Sequence, residues 1–230
     1  MILYIVHSPL LNVSLLFSFN YSSFAQKRDS TKLKLHFLKP APEFNKVRTI
    51  AVSSGLVAGY TGTMLYLNQI WYAGSDRSKF HFFDDSKEWL QIDKMGHFHT
   101  TYMEAVLLTK LMKWTGTKDR KSALTGALLA LGFQTSIEVF DGFSAKWGAS
   151  GSDVAANFLG ASLAYTQYYF WNEQRIKSKY SFHSFSHIDA QLQQRSDALY
   201  GTNPISSLIK DYNGIVIWLS VNPSSFSKKE

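Results

Sequence analysis

Residues 92–114 read IDKMGHFHTTYMEAVLLTKLMKW, and their pattern decides the fold. Asp93 and His97 lie four apart, and Thr101 and Ala105 continue the stripe at the spacing of one helix face. Most other positions are apolar, so Ile92 to Trp114 is expected to be a helix with one polar end. Asp93 could cap it, although Gly96 weakens the first turn. Glu104 sits two turns beyond His97, whereas His99 faces elsewhere.

Two further segments repeat this design. Arg120 to about Phe140 is apolar, with Gly126 and Gly132 inside it. Gln134 and Glu138 are four apart, Asp141 follows one turn on, and Asp141-Gly142 ends the helix. After a Gly/Ser-rich loop, Ser152 is the expected N-cap of a helix from Asp153 to about Ile176. Asp153 and Asn157 share a face there, and Gly160 and Ala164 extend it with small residues. Ionisable groups in an apolar helical setting are costly to desolvate, so they must find each other, a ligand or water. Where the small faces meet, the three polar ends should converge.

Working outward, Thr49 to Ser75 carries no formal charge. It is long enough to cross a bilayer, which takes about 20 residues. Its Gly55-Leu-Val-Ala-Gly59 is a small-xxx-small pattern expected to bring helices close. Asp76 to Glu88 is a charged loop rich in aromatics, with Phe80, Phe82 and Phe83, and could serve a protein partner. Beyond Tyr180 the composition turns polar, and Ile215 to Val221 alternates like a strand that needs a partner. The expected fold is mainly α, a bundle of about four apolar helices with a short C-terminal strand or hairpin region. Four segments follow: a signal peptide over 1–25, an extended lead-in over 26–48 containing Pro40 and Pro42, a helical envelope domain over 49–180, and a polar extension over 181–230.

Residues 1 to 26 have no Asp, Glu, Lys or Arg, and Ser23 and Ala25 suit the small positions of a secretory cleavage site. The protein is therefore expected to be exported, to the periplasm or membrane of a bacterial envelope. Its net charge of +7 comes from scattered lysines and arginines with no dense basic run, so nucleic acid is not an expected partner. Arg175, Lys177 and Lys179 follow the aromatic run Tyr168 to Trp171, an order suited to an anionic lipid surface. No cysteine is present, which excludes disulfides, thiolate zinc ligation and a Cys nucleophile.

Four roles remain open for the polar set. His97 with Glu138 or Asp153 could act as an acid–base site, making the chain an envelope hydrolase of a lipid or phosphate ester. The same three side chains have the donor types for a divalent metal, the only cofactor envisaged. Asp93, Lys94, Asp141, Ser152 and Asn157, with helix N-termini, could bind a lipid or glycan headgroup. A closed hydrogen-bonded brace is the fourth. A structural or headgroup-binding role, with a membrane lipid or other envelope component as partner, is preferred to the enzyme. His183 and His187 are four apart in Ser-rich surroundings that suit a surface loop.

Asp93-Lys-Met-Gly-His97-Phe98, Glu138-x-x-Asp141-Gly142 and Ser152-Asp153-x-x-Ala156-Asn157-x-x-Gly160 together resemble the YfiM-like family of predicted periplasmic lipoproteins. More distantly, their order is similar to VanZ-like membrane proteins. The resemblance spans Ile92 to Gly160 and implies an envelope location; the family has no assigned activity. This sequence departs from the pattern in having no cysteine for lipidation.

Overall fold

The computed structural model describes residues 36–72, 76–87, 89–184, 186 and 188–227. The expected targeting segment, the lead-in up to residue 35, and His187 lie outside the described residues. Helix α1 (Lys46–Leu67) begins three residues before the uncharged run, because Asn45 accepts a hydrogen bond from the Arg48 amide and caps it. A π-turn over Asn68–Tyr72 follows.

Helix α2 (Ile92–Trp114) has the limits its pattern predicts. Its start differs from expectation: Gln91, in a left-handed conformation with φ 65°, occupies the cap position and makes no side-chain cap. Asp93 stands in the first turn, and its carboxylate is engaged elsewhere by Tyr212. Helix α3 (Asp119–Asp141) stops at Gly142, as expected. Helix α4 (Gly151–Trp171) is capped by Ser150 rather than Ser152, through a 3.1 Å bond from the Asp153 amide. It ends at Trp171, not near Ile176, because Asn172 takes the left-handed conformation and closes the last turn.

Ile176 instead opens β1 (Ile176–Phe182), which pairs antiparallel with β2 (Ile215–Val221), from Ile176 opposite Val221 to Phe182 opposite Ile215. The partner that the alternating C-terminal segment required is this strand. Between the two lie α5 (Ala190–Tyr200) and α6 (Pro204–Lys210), short helices that the polar composition of the region did not announce.

The core lies between α2, α3 and α4, where Tyr102, Ala105, Leu108, Ala127, Ala130, Ala161 and Ala164 are buried together. Small residues allow this approach. A Cβ on Gly126 would lie 2.6 Å from the Thr109 amide nitrogen, and one on Gly160 only 2.3 Å from the Phe98 carbonyl oxygen. The Gly55 and Gly59 pattern does not work this way, since a Cβ on either would meet nothing within 4 Å. α1 leans on the bundle through Tyr60, which stacks on Phe133 at 5.0 Å and bonds to Ser136 at 2.6 Å.

Gly160→Ala tests the close crossing. Alanine gains roughly 1 kcal/mol of helix propensity over glycine. Pushing a methyl against a backbone carbonyl costs more, so a net loss of about 2 kcal/mol is expected in denaturant unfolding. Gly132→Ala, where a Cβ meets nothing, should be neutral or stabilising. Equal effects at the two positions would contradict this packing.

Candidate functional site

Three helix ends deliver the site. The first turns of α2 present Asp93, Lys94 and His97, the last turns of α3 present Glu138 and Asp141, and the first two turns of α4 present Asp153 and Asn157. His97 is the centre. Its Nδ1 lies 3.2 Å from Asn157 Oδ1, and its Nε2 faces Glu138 Oε1 at 3.4 Å. Thr101 donates to the same Asn157 oxygen at 2.9 Å, as its place on the His97 stripe suggests.

Lys94 binds the cluster to a segment that helical spacing does not reach. Its Nζ lies 2.8 Å from Asp85 Oδ2 and 3.1 Å from Asp153 Oδ1. Asp85 also accepts from Ser150 at 2.8 Å and Ser152 at 2.9 Å. The aromatic loop carries Asp85 there by lying along the α3–α4 connection. His81 donates its amide to Gly142 O at 2.9 Å, and Phe83 donates to Ala149 O at 3.1 Å. Phe80 packs edge-on against Phe143. Phe82 remains exposed. Ser150 has a further role, donating its amide to Glu138 Oε2 at 3.1 Å.

Two tyrosines bond to the outlying carboxylates. Tyr212 donates to Asp93 Oδ1 at 2.5 Å and Tyr72 to Asp141 Oδ1 at 2.6 Å. Asp85, Ser150, Tyr72 and Tyr212 are the members that sequence analysis missed. Of these, only Asp85 carried a signal, as an acid in a loop just before an apolar helix containing an unpaired lysine. His99 faces away, bonded to Ser178 at 2.7 Å and stacked on Tyr180. Glu104 and Gln134 also stand apart, as a pair joined at 2.9 Å on a groove of about 210 Å³ bounded by α1, α2 and α3.

The electrostatics follow from burial and from crowded carboxyls. Burial pushes Glu138 up to about 7, and burial likewise raises Asp141 and Asp153 to about 6. Burial alone would lower His97, but Asp93, Glu138 and Asp153 outweigh it and hold the imidazole above its ordinary value. Asp85 goes the other way: bonds from Lys94, Asp153, Ser150 and Ser152 overcome its burial and keep it well below the usual carboxylate range. Lys94 is desolvated, yet Asp85 and Asp153 keep it charged.

Such a cluster can hold a proton, a cation or a polar ligand. One ligand atom each from Asp93, His97 and Asp153 lies within 4.8 Å of the others. Four buried side-chain atoms find no hydrogen-bond partner among the described residues: Glu104 Oε2, which lies apart, and, within the cluster, Glu138 Oε1, Asp153 Oδ1 and Asn157 Nδ2. For Glu138 and Asp153, the neighbouring His97 and Lys94 nitrogens supply charge without hydrogen-bond alignment.

An α-helical bundle with a buried His–carboxylate cluster at one end is the class that fold and site define. Residues 81–169 match the family model described as "Predicted periplasmic lipoprotein (DUF2279)", and this stretch contains the aromatic loop and most of α2, α3 and α4. The resemblance carried by the Asp93, Glu138 and Asp153 motifs is to this family, and the chain is an exported protein of the periplasm or envelope. No curated protein and no solved structure matches it.

Proposed function

We propose that this envelope protein binds the polar headgroup of a membrane lipid or glycan at the cluster around His97. The observation that carries this reading is the set of three buried atoms without a hydrogen bond, Glu138 Oε1 and Asp153 Oδ1, which face only the charged His97 and Lys94, and Asn157 Nδ2. Their residues are only 3%, 3% and 0% exposed. A cluster built solely as a brace would close on itself, since each orphaned buried group costs about 1–3 kcal/mol. Two of these atoms accept and the third donates, so hydroxyl-bearing groups, which do both, match them.

Membrane association is part of the proposal. The outer faces of α1, α3 and α4 expose Ile50, Val57, Leu65, Leu124, Leu128, Phe158 and Leu159. Two helical stretches, Lys46–Tyr72 and Asp119–Asp141, have the length and apolar composition of membrane spans. A belt of that kind favours an apolar neighbour over water.

The enzyme alternative has one specific support. Glu138 is raised to about 7 and faces His97 Nε2 at 3.4 Å, a pair able to exchange a proton near neutral pH.

Native mass spectrometry of protein extracted in mild detergent from carbonate-washed membranes tests the binding reading. Wild type should retain a co-purified lipid or glycan mass, and a His97→Ala/Asn157→Leu double variant with an unchanged helical spectrum should not. Consumption of the ligand by wild type but not by His97→Ala would shift the assignment to the hydrolase. Loss of the protein from washed membranes, or a wild type with no adduct, would overturn the proposal.

A further inference from the structure

We propose that Asp93, His97 and Asp153 form a binding site for one divalent transition-metal ion, beside the buried carboxylate of Glu138. This assignment rests on reading the cluster as a ligand site and names a ligand for it.

Helix geometry sets the first part of the argument. Asp93 and His97 are i and i+4 on α2, so both side chains leave the same face. Asp153, in the first turn of α4, comes from the opposite side, and one ligand atom of each residue lies within 4.8 Å of the other two. Bonds of about 2.1 Å to nitrogen and oxygen bring ligand atoms to within about 4.2 Å at most. Each side chain need therefore move by less than about 1 Å to enclose an ion.

The second part is independent of the acidic grouping. Glu138 is 3% exposed, and its Oε1 is aimed at His97 Nε2 without a hydrogen bond. His97 is held in the orientation that ligation needs. Asn157 Oδ1 already accepts from Thr101, so it acts as an acceptor toward His97 Nδ1 as well. The Nδ1–H therefore points at Asn157 and leaves Nε2 as the nitrogen that faces the carboxylates, the one that an ion would take in exchange for its proton. Tyr212 fixes Asp93 from outside in the same manner, by its bond to Oδ1.

Charge points the same way. Asp85, Asp93, Glu138, Asp141 and Asp153 act on one another and on His97 and Lys94. Lys94 is the one lysine among them and is drawn most closely to Asp85, at 2.8 Å. A dication at the Asp93–His97–Asp153 corner would offset the excess of carboxylates. One imidazole with carboxylates and no thiolate suits Zn2+ or Mn2+, while Ca2+ and Mg2+ favour shells made entirely of oxygen.

The test uses the full chain without a polyhistidine tag. It is stripped with EDTA, then titrated calorimetrically with Zn2+ and Mn2+ and read spectroscopically with Co2+. Wild type should take up one equivalent and give a visible Co2+ band. Asp93→Asn, which can still pair with Tyr212, and His97→Ala should each bind about a hundredfold more weakly and lose the band. Tyr212→Phe should weaken binding about tenfold while keeping the band. Should His97→Ala fail to fold, Asp93→Asn and Tyr212→Phe still decide the matter. Less than one equivalent bound by wild type, or unchanged affinity in Asp93→Asn, would overturn the metal site. A metal-free protein that still carries an organic adduct would sink this inference alone, and a metallated protein without adduct would sink the headgroup proposal alone.

Discussion

Lys94→Met should destabilise the protein by about 3–5 kcal/mol in denaturant unfolding at neutral pH. Lys94 is itself buried, and its Nζ sits between Asp85 and Asp153 at 2.8 and 3.1 Å. Methionine keeps the stem and its packing but removes the charge, so the loss measures electrostatics rather than volume. Two carboxyls would then share a desolvated space without a counter-charge, Asp85 keeping only its bonds from Asp153, Ser150 and Ser152. Asp85 has its pKa depressed in the fold, so its contribution is present above its unfolded value and disappears as pH falls through the folded one. The Lys94→Met deficit should accordingly shrink in acid, where the carboxyls protonate. Adding Asp85→Asn should recover part of it, because a neutral amide needs no counter-charge. A Lys94→Met protein as stable as wild type at neutral pH would show that the ion triad does not hold the aromatic loop on the bundle.

Glu104→Gln should remove a pH dependence worth about 3 kcal/mol. Burial raises Glu104 from an ordinary value of 4.5 to about 7, and the bond from Gln134 only partly opposes this. For a carboxyl raised in this way, the folded chain binds more protons than the unfolded chain between the two values. Its contribution to stability is therefore greatest in acid, falls as pH rises from about 4.5 to about 7, and is flat above that. Buried Glu138 carries a slope of the same sign, so the informative quantity is the gap between wild type and Glu104→Gln. That gap should widen in favour of the variant by about 3 kcal/mol between about pH 4.5 and pH 8. Parallel stability curves would mean that Glu104 ionises as if in water.

The limits of α2 and β2 were legible because both are locally overdetermined. Ile92–Trp114 has apolar residues at helical spacing between clear end signals, and Ile215–Val221 alternates after an Asn-Gly turn. Residues that share a helix face were also legible, so Asp93 with His97, Glu138 with Asp141, and Asp153 with Asn157 were grouped correctly. The start of α4 was not. Ser150 and Ser152 are equally good caps by composition and both donate to Asp85; what separates them is that Ser150 also accepts from the Asp153 amide and donates its own amide to Glu138. The glycines mislead for a similar reason. Gly55 and Gly160 are alike as sequence, but only Gly160 has a backbone against it.

By itself, then, the sequence determined three amphipathic rods with polar ends, a chain without thiol chemistry, and the family of the segment that carries the cluster. Helical and strand periodicity are local, fixed by neighbours a few bonds away, and local pattern suffices to read them. Tertiary structure alone decided that Asp85 reaches Lys94, that Tyr212 reaches Asp93 across 119 positions, and that Glu104 pairs with Gln134 away from His97. Those partnerships depend on which helix faces dock and how far loops travel. Both are settled by the burial of small residues such as Ala105, Ala127 and Ala161, which favours one mutual arrangement without marking it in any single segment.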